Sequence, residues 1–201
     1  MIYFDNAATG GVKPENVVGA AAAAMRACAN PGRSGHALSL ACAERVQKVR
    51  GMLCEFFGAP SSDRVVFTKN CTEALNYVIL GWLRKFKNVP SKVICTAYDH
   101  NSVLRPLNAL KGEQELETQV ILPQKSGEID VRQLAAALTP QTRLAVVTHI
   151  SNVTGAVTDI KAAGEVCARA GVPLLVDCAQ SAGHLFVDMQ AAGAAFLCAP
   201  G

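Results

Sequence analysis

Five short, almost uninterrupted apolar runs recur through the last hundred residues of the chain: Val93–Cys95, Val120–Leu122, Leu144–Thr148, Leu174–Val176 and Ala195–Cys198. Strands with one wet face alternate apolar and polar residues, whereas strands covered on both faces read as continuous apolar runs. Helix-length segments separate most of these runs. They cover Ser102–Leu110, Asp130–Leu138 with Asp130 as N-cap, and Asp159–Ala170 closed by Gly171. Alternation of this kind folds as a mostly parallel sheet with helices on both faces. A sixth run, Val65–Phe67, precedes Leu75, Val78, Ile79, Trp82 and Phe86 at helical spacing. Strands are therefore expected near residues 65–68, 93–96, 119–122, 144–148, 174–177 and 195–198. Upstream lie a β-like start at Ile2–Phe4 and a helix opened by Pro14 and running to about Ala29. A long amphipathic helix follows from His36, with Leu38, Cys42, Val46, Val49, Leu53 and Phe56 on one stripe and Gly58 at its end.

The 201 residues suffice for one large α/β domain, and no linker, repeat or low-complexity tract divides them. Residues 1–201 are accordingly read as one N-terminal segment with most of a ligand-binding domain. Lysine and arginine exceed the acidic residues by only three, and no basic run occurs, which argues against nucleic acid as a partner. The longest apolar stretch, Val17–Met25, is too short to span a bilayer, and the N-terminus has no signal-peptide pattern. The eight cysteines include no C-x-x-C pair and fall mostly in apolar segments, as free thiols of a reducing compartment do. The cytoplasm is the expected location.

Polar loops follow four of the apolar runs. Asn70-Cys71-Thr72 opens a helix, whose first amides and positive dipole end form a natural phosphate seat. Asp99-His100-Asn101-Ser102, Ser151-Asn152-Val153-Thr154-Gly155 and Asp177-Cys178-Ala179-Gln180-Ser181 are the other three. Any one of them alone reads as a cap or turn. Four together at strand carboxyl ends gather polar groups on the edge where open α/β sheets bind ligands. An anion seat with a lone carboxylate, Asp177, suits a ligand with a phosphate at one end and a basic nitrogen at the other, such as pyridoxal 5'-phosphate. A dinucleotide site is disfavoured, because no G-x-G-x-x-G opens a helix.

The segments MIYFDNAAT (1–9), NPGRSGH (30–36), FTKNCTEALN (67–76), DHNSVLRPL (99–107), SNVTG (151–155) and VDCAQSAG (176–183) resemble successive motifs of the class V aminotransferases. The similarity is closest to the cysteine desulfurase-like branch of that pyridoxal-phosphate superfamily, and it runs the whole length of the chain. It implies the large domain of the fold-type I pyridoxal-phosphate transferases. By the resemblance, Cys71 and Thr72 match the turn that binds the cofactor phosphate. His100 matches the imidazole that stacks on the pyridine ring and relays protons, which makes it the catalytic candidate. Asp177 matches the partner of the pyridine nitrogen, and Asn152 and Gln180 match donors to the phenolic oxygen. No metal is implied.

The resemblance further implies removal of sulfur from L-cysteine to give alanine and an enzyme persulfide, in a homodimer that hands sulfur to an acceptor protein. Transamination, another pyridoxal-phosphate lyase reaction and a non-catalytic ligand-binding module remain alternatives. The family's Schiff-base lysine and acceptor cysteine have no match in residues 1–201. The chain is therefore expected to be C-terminally truncated and inactive alone, and Lys161, on a surface helix, cannot replace the missing lysine. A strand from the remainder is expected between Val65–Phe67 and Ala195–Cys198. Asp99 stands where glutamate is usual, and Pro200 where many desulfurases carry a phosphate-binding serine.

Overall fold

A computed structural model describes residues 2–201. It contains two compact units, one built from the chain up to Phe56 with Pro60–Val65, the other from Phe57–Ala59 with Val66–Gly201. The first unit holds helices α1 (Glu15–Arg26) and α2 (Ala37–Phe56) and a 3₁₀ turn at Ser62–Arg64. Within it, the Ser39 hydroxyl donates to the Asn30 carbonyl at 2.5 Å and Gln47 donates to the Ser62 hydroxyl at 3.2 Å. The apolar stripe of α2 is present but unburied, since Ser39 is the helix's single buried residue.

The second unit is the layered α/β structure that the apolar runs specify. Five parallel strands, β1 (Ser91–Thr96), β2 (Leu116–Ile121), β3 (Thr142–Thr148), β4 (Leu174–Asp177) and β5 (Phe196–Cys198), form one sheet in the order β2-β1-β3-β4-β5. Successive residues of each strand face opposite sides. Val93, Leu144, Val146 and Leu175 pack against α3 (Cys71–Leu83) and α4 (Asn101–Lys111). Ile94, Ala145, Val147, Leu174 and Val176 pack against α5 (Val131–Ala137) and α6 (Ile160–Arg169). Burial of both faces of β1, β3 and β4 is why their runs carry almost no polar residue, whereas the edge strand β2 is partly exposed. Asp130 caps α5 by accepting from the Arg132 amide, and Gly171, at φ +67°, closes α6.

Three strands begin earlier than the apolar runs do. Ser91-Lys92, Leu116–Thr118 and Thr142-Arg143 join the sheet because a neighbour's ladder is there to accept them. The strands expected at 65–68 and at Ile2–Phe4 do not form. Val65–Thr68 is irregular, with Val66 69% exposed, and among the described residues no strand lies against it or against the outer edge of β5. β-branched residues make a strand only where another strand takes up their amides and carbonyls. As expected, Val65–Phe67 and β5 are not paired with each other.

The chain steps outward from β1 to β2, then returns past β1 to add β3 on its other side. At such a reversal the loops after the two neighbouring strands diverge and leave a crevice at their carboxyl ends. Here those loops follow β1 and β3.

Candidate active site

The crevice is a cleft of about 360 Å³, walled by Ala97–Asn101 after β1 and Ser151–Thr154 after β3. His100 and Asn152 both line it. The β3 loop is held in shape by the buried Ser151, whose hydroxyl accepts the amides of Val153 at 3.3 Å and Thr154 at 3.2 Å. Asn152 is thereby presented on an exposed tip.

Asp99 fixes the β1 loop. Its carboxylate is buried and accepts the Thr96 amide at 2.5 Å, the Thr96 hydroxyl at 3.1 Å and, from β3, the Thr148 hydroxyl at 2.6 Å. One side chain thus ties the ends of the two strands that bound the cleft. Burial pushes its carboxyl up to about 7 against the pull of these hydrogen bonds, and the charge of Asp177 adds to the rise.

His100, the next residue, is the N-cap of α4, its Nδ1 accepting the Ser102 amide at 3.2 Å. The Ser102 hydroxyl lies 2.8 Å from Nδ1 and 2.8 Å from the Thr72 hydroxyl at the head of α3. The start of α3 is organised by two reciprocal side-chain caps. The Asn70 side chain accepts the Glu73 amide at 2.9 Å, and Glu73 reaches back to the Lys69 amide at 2.7 Å.

Asp177 ends β4 beside Thr148 in the sheet register. Its Oδ1 accepts the Ala179 amide at 2.9 Å and the Cys71 thiol at 3.7 Å. Burial pushes its carboxyl up, only partly offset by these two donors and by the nearby His100 imidazole. No lysine or arginine among the described residues pairs with it. A desolvated carboxylate with no cation is a site for a ligand's positive charge.

Hydrogen bonds and proximity therefore connect Cys71, Thr72, His100 and Asp177, and Asn152 shares the cleft with His100. Of the candidate residues only His100 and Asn152 line the cleft; Cys71, Thr72, Asp177 and the half-buried Gln180 are not among its lining residues. The Cys71 thiol is turned to Asp177, which leaves its backbone amide for an anion. Burial and the Asp177 charge push that thiol far above its ordinary range. Burial likewise raises Cys95 and Cys198 to about 12 and Cys167 and Cys178 to about 11, so these five are not nucleophiles at neutral pH. Lys161 lies exposed in the first turn of α6.

Sequence reasoning placed Ser102 in a candidate loop and Asn76 in a family motif but gave neither a role. Pro106 lies inside α4 and lacks an amide hydrogen, so the Ser102 carbonyl four residues earlier loses its helical donor. The Asn76 amide supplies the substitute at 3.3 Å, while also donating to the Thr72 carbonyl at 2.7 Å. A proline four residues after a serine was the available signal.

A model of the aminotransferase class-V family matches residues 2–201. The chain is 38% identical over 173 residues to a probable cysteine desulfurase of Methanothermobacter thermautotrophicus, an alignment that covers 86% of this chain and 42% of the relative. The apo cysteine desulfurase from Thermococcus onnurineus NA1 superposes with a TM-score of 0.90 at 34% identity, over 98% of this chain and 48% of that one. The structure described as SspA in complex with cysteine superposes with a TM-score of 0.94 at 25% identity, over 100% of this chain and 57% of that one. The chain spans about half the length of the curated relatives it matches. Family-wide sequence match, a shared α/β fold and a cleft at the sheet's reversal point agree, and the chain belongs to the aminotransferase class-V family.

Proposed function

We propose that these residues form the cofactor-binding half of a pyridoxal-phosphate-dependent cysteine desulfurase-like enzyme. The observation that carries the reading is Asp177, a buried carboxylate with a raised pKa, no lysine or arginine partner among the described residues, and a place near the His100 imidazole at the carboxyl edge of the sheet. The residues fit the cofactor. Asp177 takes the protonated ring nitrogen, the Thr72 hydroxyl and the first amides of α3 take the phosphate, and Asn152 and Gln180 take the phenolic oxygen. Bound there, pyridoxal phosphate supplies an electron sink for charge released at an amino-acid Cα.

The chain's own residues orient and transfer protons. Asp177 keeps a positive charge favourable at the ring nitrogen, and His100 stands over the cleft as the proton-carrying group. The substrate is L-cysteine, on the likeness to relatives named for that reaction and to a structure described with cysteine. Dimerisation, an acceptor protein for the sulfur and cytoplasmic residence belong to the same proposal; no described helix is long and apolar enough to cross a membrane. The acceptor thiol is none of the five raised cysteines. No lysine of residues 1–201 matches the one that carries the cofactor in the family, so these residues bind the cofactor without turning cysteine over.

Equilibrium dialysis of pyridoxal phosphate against this chain and its Asp177→Asn variant tests the reading. Saturable binding that weakens by about tenfold or more, at least about 1.4 kcal/mol, is expected when the charge is removed. Equal binding by the two proteins refutes it.

A further inference from the structure

We propose that Ser102 is a positioning residue that holds the His100 imidazole as the single tautomer with its proton on Nε2. An amide hydrogen only donates, so the Ser102 amide 3.2 Å from Nδ1 requires a lone pair there. A neutral imidazole whose Nδ1 accepts carries its proton on Nε2. The Ser102 hydroxyl, 2.8 Å from the same nitrogen, has its other partner in the Thr72 hydroxyl. Both hydroxyls can rotate, so Thr72 donates to Ser102 and Ser102 donates to Nδ1 without any group left unpaired. Two donors on one lone-pair region exclude the Nδ1–H form.

Ser102 is itself fixed from three directions. The residue is 7% exposed, its amide and hydroxyl face His100, and its carbonyl is held by Asn76 because Pro106 supplies no helical donor. Asn76 also holds the Thr72 carbonyl, so α3 and α4 set the imidazole together. Nε2 has no partner among the described residues, which leaves its proton available to the cleft. On the reading proposed above, neutral His100 therefore offers the cleft an Nε2–H hydrogen bond and no lone pair at that atom, because giving the proton up outright would leave an imidazolate.

The test is long-range ¹H–¹⁵N NMR of this chain with labelled histidine and no ligand, at pH 9, where an imidazole is neutral. His100 is assigned among the four histidines by loss of its signals in His100→Gln. The expected pattern is one pyrrole-like nitrogen, Nε2, and one pyridine-like nitrogen, Nδ1. Ser102→Ala keeps the amide donor and loses the hydroxyl, so it is expected to move both resonances part of the way toward exchange-averaged values, Ser102→Thr to restore the wild-type pattern, and Thr72→Val to keep the Nε2–H form. A protonated Nδ1 in the wild type, or resonances unmoved by Ser102→Ala, overturns the proposal. If Ser102→Ala fails to fold, the wild-type and Thr72→Val patterns decide. Cofactor is absent throughout, so failure of pyridoxal phosphate to bind in dialysis refutes the functional reading separately.

Discussion

Asp99 makes the stability of this protein depend on pH in a direction opposite to that of most carboxylates. Its folded pKa of about 7 lies above the ordinary value of 3.8, so the folded state binds the proton more tightly than the unfolded chain does. Stability from this group is complete below 3.8 and is lost as pH rises to about 7. Between pH 5 and 7 the unfolded carboxyl is ionised while the folded one is still largely protonated. Two pH units at about 1.4 kcal/mol each give a loss of about 3 kcal/mol. Protonation costs few hydrogen bonds, because the Thr96 and Thr148 hydroxyls that donate to the carboxylate can rotate and accept from the acid. The raised carboxyl of Asp177 adds a slope of the same sign, so the two must be separated. Asp99→Asn removes the ionisation and keeps an oxygen for Thr148. Urea unfolding at half-unit intervals from pH 5 to 8.5 should show the wild type weakening by about 3 kcal/mol more than the variant. Parallel curves for the two proteins refute the argument, and so does a wild type that gains stability over that range relative to the variant.

Two further perturbations test the packing and the thiols. A Cβ built on Gly164 of α6 lies 1.8 Å from the Ala192 carbonyl oxygen, so Gly164→Ala must displace backbone. The loss of folding free energy in urea titration should be at least about 2 kcal/mol, and a loss under half of that means the loop yields freely. In pulsed alkylation of the native protein at pH 8, read by peptide mass spectrometry, exposed Cys28 should label in the first time points. The buried Cys95, Cys167, Cys178 and Cys198 should label only on unfolding; modification of Cys198 as fast as Cys28 contradicts its burial.

The sheet was legible because its central strands β1, β3 and β4 are buried on both faces, which removes polar residues and leaves a signal that no amphipathic helix imitates. The same signal misled at Val65–Phe67. Composition reports what a segment tolerates, and a strand also needs a neighbour, which lies at a distance no local pattern encodes. The loops that carry Thr72, His100, Asn152 and Asp177 were legible from their place after apolar runs, before any resemblance was considered. Ser102 had no legible role. Its three hydrogen-bonding groups act on His100, Thr72 and Asn76, and those partners meet only once α3 and α4 lie side by side. Cys71 was read as part of an anion turn, yet its side chain serves Asp177, 106 positions away. Local sequence located the backbone seat and could not say where the thiol would turn.

The two buried carboxylates at the strand ends show how similar desolvation yields different tasks. Both are pushed up by burial, and the charge of Asp177 adds to the rise at Asp99. Asp99 accepts three hydrogen bonds from groups of which two are rotatable hydroxyls, so it is satisfied in either protonation state and needs nothing from outside the protein. Asp177 has one amide and one weak thiol donor, both on Oδ1, and its Oδ2 has no hydrogen bond among the described residues. A cation brought to Asp177 recovers free energy that no rotation of its neighbours supplies. That difference in unmet demand, rather than position in the fold, is what separates the keystone between β1 and β3 from the residue proposed to receive the cofactor. It also sets an order of effects. Asp177→Asn should weaken cofactor binding while removing part of the burial penalty, so the variant should be no less stable than the wild type at pH 8 in urea titration. A variant that loses stability as well as binding would mean that Asp177 holds the fold together as Asp99 does, and that its charge is already matched within the protein.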